Sequence, residues 1–384
     1  MSFGPLVPAD ESFTHQITQT FATVAQSDRS WTEKVCAMAT PGDGALQLAF
    51  GMGKYTNRGV LDAYAGVSRG VEQWTVRASR RLWPDVEATA VGPITYEVLE
   101  PLQSVRFSLA ANDVVPVAFE WTFTGAVPPA LEQHEQHRSR DGLRLDADIV
   151  RYHHIGTATG WVEIDGERTE LDEAAVSTRD HSWGVRYMVG APETDVEDAS
   201  RPDGVQTIVL WSPVLCERPD GSRYGLHLYY QRHAFGGWER VELQGGVEHP
   251  DGRREPFAAV VPKLEVRDDN RRLLGAELQC TMADGSSRPI TVTPLGDTGF
   301  HLGTGLYFGL DGHWHGEWRG DRHVDGEHIA DCSDVETAHR IHQFRDCVIR
   351  VDDPLGGGTG VGNMQSLVVG AHPEIGLTQQ ASFM

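Results

Sequence analysis

Between Arg179 and Arg186 the chain reads Arg-Asp-His-Ser-Trp-Gly-Val-Arg, which puts a carboxylate, an imidazole, a hydroxyl, an indole and two guanidinium groups in one short run. An aspartic acid beside a histidine is material for acid and base chemistry, because burial shifts either group towards a pKa at which it exchanges protons near neutrality. On an extended backbone Arg179, His181 and Trp183 share one side, and Asp180, Ser182 and Arg186 share the other. A hydrogen-bonded pair of Asp180 and His181 therefore requires a bulge or turn, which Gly184 would permit. Asp180 and His181 are the candidate catalytic residues. The competing structural role pairs Asp180 with Arg179 or Arg186 and sends Trp183 into the core.

Aromatic and polar residues also alternate elsewhere: Phe119, Trp121 and Phe123 in one run, and Gly225, His227, Tyr229 and Gln231 in another. A barrel interior holding a small apolar ligand reads this way, and so does plain core packing. Of His153 and His154, which follow Tyr152, only one can face inward. The candidate ligand-binding residues are thus Trp183, Arg186, Trp121, Tyr152, His154, His227 and Tyr229. Trp183, Trp121 and Tyr229 also suit stabilisation of a cation by their π faces. His313 and His315 would point the same way on a strand and with a third ligand could hold a metal. Glycines flank that pair and no carboxylate stands at a diagnostic spacing, so no metal ligand is assigned. His134-Glu135-Gln136-His137 has the wrong histidine spacing for a zinc-protease helix and reads as a solvated polar strand or loop.

The elements that must position these groups are mostly strands. Runs such as Leu46 to Met52, Val71 to Leu82, Val105 to Ala110, Val117 to Phe123, Thr207 to Trp211, Tyr224 to Gln231 and Leu264 to Val266 are rich in β-branched and aromatic residues. Asp-Gly recurs between them, including at 165, 220, 251 and 284, and favours tight antiparallel hairpins. Phe13, Ile17, Phe21 and Val24 make an apolar stripe that predicts a helix over 11–27, and a capping-box pattern at Ser333 to Glu336 predicts another. Residues 191–204 are polar and turn-prone, so the expected domains are 1–190 and 191–384.

Composition narrows the function classes. The chain has 384 residues, with 33 basic against 55 acidic side chains and a formal charge of -22, which repels nucleic acid and anionic lipid. No window reaches the length of a membrane helix and the N-terminus lacks a leader pattern, so a cytoplasmic protein without membrane insertion is expected. The 5 cysteines are scattered, which suits reduced, buried thiols. The Gly356–Gly360 run lacks the lysine and spacing of a nucleotide loop. No cofactor is assigned.

The segment Asp180 to Arg186, supported by the Asp165-Gly166 hairpin and the two-part β layout, resembles the lipocalin-like superfamily of AttH-like proteins and carotenoid 1,2-hydratases (hydroxyneurosporene synthases). The resemblance implies an all-β fold: two calycin-type antiparallel β-barrel domains with a few short helices, the motif lying near their junction. It further implies a hydrophobic cavity and cofactor-free acid and base chemistry on alkenes. Where relatives would carry an acidic residue near the C-terminus, this chain has Gly360-Val361-Gly362-Asn363-Met364-Gln365. The expected activity is that of a hydratase, dehydratase or isomerase (a hydro-lyase or isomerase) acting on a terpenoid-like hydrophobic small molecule by general acid-base chemistry in a barrel cavity. The alternatives are a non-catalytic carrier or sensor of a hydrophobic ligand and a His-ligated metalloenzyme. A hydrophobic small molecule is the expected partner, and assembly as a homodimer is left open.

Overall fold

In the computed structural model, residues 6–16, 18–139, 142–196, 204–297 and 299–384 are described. The expected strands are present and the fold is all-β. One sheet is a half-barrel whose spatial order is Arg322–Ile329, Glu72–Arg81, Val60–Arg69, Gln47–Tyr55, Trp31–Thr40, Val176–Val185, Leu145–Ile164, Val117–Gly125, Ser104–Leu109, Ile94–Glu100 and Ala90–Val91. The second is a closed antiparallel barrel, because Ser287–Pro294 pairs with Arg345–Asp353 and completes the ring begun by Gln206–Glu217 and Arg223–Phe235. Arg322–Ile329, late in the sequence, is an edge strand of the first sheet, tied there by Arg77 to Asp325 and Glu327 (both 3.0 Å).

Two cores follow from the period-2 patterns. Phe50, Phe107, Phe119, Trp121 and Phe123 fill the half-barrel, while Leu210, Leu228, Tyr230, Ile290 and Met364 fill the closed barrel. At the Asp165-Gly166 hairpin both residues take the positive φ (54° and 81°) that the tight turn needs.

Helix is scarce. The stripe over 11–27 does not form a helix in the described residues. Only a short 3₁₀ turn, Pro8–Glu11, stands nearby, Phe13 is fully exposed, and Ile17 lies outside the described residues. Near the C-terminus Val335–Arg340 is helical, but its cap is Asp334, whose carboxylate accepts from Thr337 N at 2.9 Å, rather than Ser333. No described helix is long and apolar enough to cross a membrane.

Candidate active site at the seam

Val176–Val185 pairs residue for residue with Trp31–Thr40 on one side and with Leu145–Ile164 on the other, with no break in register. Gly184 has φ +137°, but it makes no bulge. A Cβ there would lie 2.0 Å from the Asp148 carbonyl oxygen, so glycine serves the close approach of two strands. The strand is regular, and Asp180 and His181 consequently face opposite ways and cannot form a dyad. Cross-strand neighbours Cys36, Asp180 and His153 face the closed barrel, whereas Val35, His181 and Tyr152 face the half-barrel interior.

On the closed-barrel side, Asp180 opens on a cavity of about 190 Å³ lined by Cys36, Arg151, Arg186, Trp211, Tyr229 and Tyr307, among others. This cavity lies in the seam between the sheets and not inside a barrel, which corrects that part of the expectation. Its far wall belongs to one row of the closed barrel's outer face: Gln365, Trp211 and Tyr229 are successive cross-strand partners, and Asp346 is next in the row behind them. Thr178 binds the two halves at the same level by donating its hydroxyl to Asn363 Oδ1 (2.5 Å).

The electrostatics are uneven. Burial raises the Asp180 pKa, and Arg151, whose Nε lies 3.5 Å from Asp180 Oδ2, opposes that shift. Arg151 also donates to Glu132 Oε2 (3.0 Å) and lies over the Tyr229 ring (5.4 Å). Burial alone would raise Glu132, but Arg151, His153 and His227 hold it well below the usual range. Burial would lower His153, yet its ring nitrogens meet Glu132 Oε1 (3.1 Å) and Glu248 Oε1 (3.0 Å), and its pKa is raised to about 9. Lys34, close by and buried, is pulled down to about 8 by desolvation; its ammonium meets His315 Nδ1 at 3.2 Å.

Asp346, the cross-strand partner of Gln365, is a buried carboxyl beside the cavity but outside its lining. Burial pushes it up to about 7, against a hydrogen bond from Asn363 Nδ2 (2.7 Å). An acid raised on folding contributes stability below its unfolded pKa and loses it as pH rises through the folded value. Asp346→Asn should therefore gain roughly 4 kcal/mol over the native protein at pH 8 relative to pH 4. Urea melts at the two pH values check this, and an equal change at both would contradict it.

The predicted residues thus divide among three places. Asp180, Arg186 and Tyr229 meet at the seam cavity, and His227 lies just behind it, stacked on His153 with centroids 3.5 Å apart. Tyr152 and His181 line a different cavity inside the half-barrel, with Trp183 edge-on to His181 and His154 under Phe123. Trp121, fully buried among Phe50, Phe107 and Phe119 with its indole donating to Ser177, is core and not a ligand wall. Arg151, Glu132, His153, Trp211, Tyr307 and Asp346 were missed. The run 134–137 is not simply solvated: Glu135 reaches the seam and accepts from the Tyr229 hydroxyl at 3.1 Å.

His313 and His315 lie in a turn, not on a strand, and diverge: His313 pairs with Glu317 (3.0 Å) and His315 with Tyr55 (3.0 Å). Among the described residues one group has ligand atoms close enough to share a metal, within 4.8 Å: Glu132, His153 and His227. It does not fit one. The two imidazole planes are nearly parallel (17°), so no nearby point lies in both planes, and the Glu132 oxygens already accept from Arg151, His153 and Trp211.

A family model described as a family of unknown function, DUF8625, matches residues 6–378. No curated protein matches the chain. Among solved structures, a candidate AttH from Nitrosomonas europaea is similar at TM-score 0.52 and 13% identity, over 94% of this chain and 98% of that one. CghA (TM-score 0.48, 10% identity, 88% of each chain) and kievitone hydratase from Nectria haematococca (0.41, 11%, 87% and 88%) are more distant. The expected AttH-like, lipocalin-like architecture is met at the level of fold.

Proposed function

The chain belongs to this family of unknown function, so its activity has to be read from the seam, and we propose that it adds or removes water, or shifts a double bond, on a hydrophobic, terpenoid-like small molecule. The observation that carries the reading is the Asp180 carboxyl, whose pKa burial raises while that of Glu135, the other carboxyl lining the cavity, is lowered, facing walls of Trp211, Tyr229, Tyr307 and Phe344. A carboxyl kept protonated can donate to an alkene carbon or a departing hydroxyl. The carbocation so formed meets aromatic faces, which favour positive charge, and the new carboxylate is stabilised by Arg151. In hydration, water bonds to the cation and gives its extra proton back to Asp180, so the acid is regenerated. Dehydration is the reverse, and isomerisation replaces water addition by loss of a different proton.

Native mass spectrometry of the freshly purified protein, looking for a retained small molecule, is the first test. The second is incubation of terpenoid alkenes and tertiary alcohols in isotopically labelled water. Label entering the product with native protein, and not with Asp180→Asn, is expected. Label entering equally with both proteins would remove Asp180 from the chemistry, and no turnover or retained compound would remove the reading.

A further inference from the structure

The half-barrel holds a second cavity, on the other face of the same strand and unused by the proposed chemistry. It encloses about 430 Å³, and its wall is mainly apolar, with Val35, Met52, Leu61 and Val105 below and Arg179 and Tyr152 at one side. Such a volume is typical of small-molecule sites.

Arg179 is the anomaly. It is 1% exposed, and a guanidinium taken out of water needs a counter-charge or several acceptors. The other buried arginines have them: Arg288 has Asp353, and Arg271 and Arg345 have backbone carbonyls, as the half-buried Arg151 has Glu132. Among the described residues no carboxylate lies within ion-pair distance of Arg179. Its donors meet only the Tyr152 hydroxyl (3.4 Å) and His154 Nδ1 (3.3 Å), its Nε has no partner, and beyond these it has only the faces of the Phe123 and Tyr152 rings (5.2 and 5.4 Å), which carry no net charge. His154 cannot supply the charge, because an imidazole is neutral or cationic and never an anion, and its own Nε2 is also unpartnered. Glu33, at the same cavity, is engaged by His181 Nε2 at 3.0 Å.

We propose that this cavity is a second binding site, distinct from the seam, which takes an amphiphile with one carboxylate, the acyl chain against the apolar wall and the carboxylate on Arg179 and Tyr152. The planar guanidinium offers paired donors to the two oxygens, and the Tyr152 hydroxyl can turn to donate as well. The missing counter-ion is then the ligand itself.

The probes are dodecanoate and dodecanol, which share a chain and differ in charge, titrated against the full chain by displacement of a fluorescent fatty-acid analogue. Dodecanoate should bind at least about ten-fold more tightly than dodecanol, and Arg179→Met should erase that preference while Arg179→Lys keeps part of it. Leu61→Trp, which fills the apolar end and leaves Arg179 in place, should abolish binding of both probes and stands in if the arginine variant does not fold. Asp180→Asn should leave dodecanoate affinity unchanged, which separates this site from the seam. Equal affinity for acid and alcohol, an undiminished preference in Arg179→Met, retained binding in Leu61→Trp, or no binding by the native protein would each overturn the proposal.

Discussion

Asp180→Asn should lower turnover about 10²- to 10⁴-fold with little change in substrate affinity, the range expected when a positioned general acid is lost. The substitution is nearly isosteric, and it removes the proton without opening a hole in the strand. Burial raises the Asp180 pKa, so the protonated, active form persists to higher pH than an ordinary aspartic acid allows. Activity should accordingly fall as pH rises through that displaced value. In Arg151→Met the falling limb should move to still higher pH, because Arg151 is the largest of the charges that oppose the shift, ahead of Arg186 and His181. Steady-state rates across the pH range, on whichever substrate the isotope assay identifies, check both. A rate that rises with pH would recast Asp180 as a base.

The second large effect concerns stability. His153→Ala should cost about 3–5 kcal/mol near pH 6, because it leaves Glu132 and Glu248 buried without the cation between them. The pH dependence has a definite sign. The folded pKa of His153 is raised to about 9, so its contribution is complete below the unfolded histidine value of about 6.5 and is lost as pH rises through about 9. The gap between native and variant unfolding free energies should be widest in mildly acidic buffer and close in alkaline buffer. Glu132 and Glu248 are held below their usual range, so their share is lost on the acid side instead. Urea titrations at several pH values decide the matter, and a gap independent of pH would show that His153 is neutral in the folded protein.

Much of this site could be anticipated from period alone. Alternation along Arg179 to Arg186 separates Asp180 from His181, and the unbroken pairing on both flanks makes that separation real. What alternation cannot supply is the partner across the seam. Glu132 comes from a short polar stretch, His227 from the other barrel and Tyr307 from a loop, and only the tertiary fold brings them to Asp180's side. Alternation is equally blind to what occupies an inward face: Trp121 and Tyr229 have the same pattern, yet one is packed solid and the other walls a cavity. The failed helix at 11–27 has a related cause. An isolated amphipathic segment of that length is marginal in water, and here Phe21 is drawn to the half-barrel cavity while Phe13 finds no surface to cover.

The edge strand Arg322–Ile329 has a consequence for the order of assembly. Its partner, Glu72–Arg81, leaves the ribosome early and then waits, with one row of peptide groups unpaired, until the closed barrel has been synthesised as far as Ser287–Pro294, with only Arg345–Asp353 and Gly358–Val369 of its strands still to come. Contacts so distant along the chain are slow to form, and an open strand edge is where nascent chains adhere to one another. The half-barrel, although it comes first in the sequence, can be finished only near the end of synthesis.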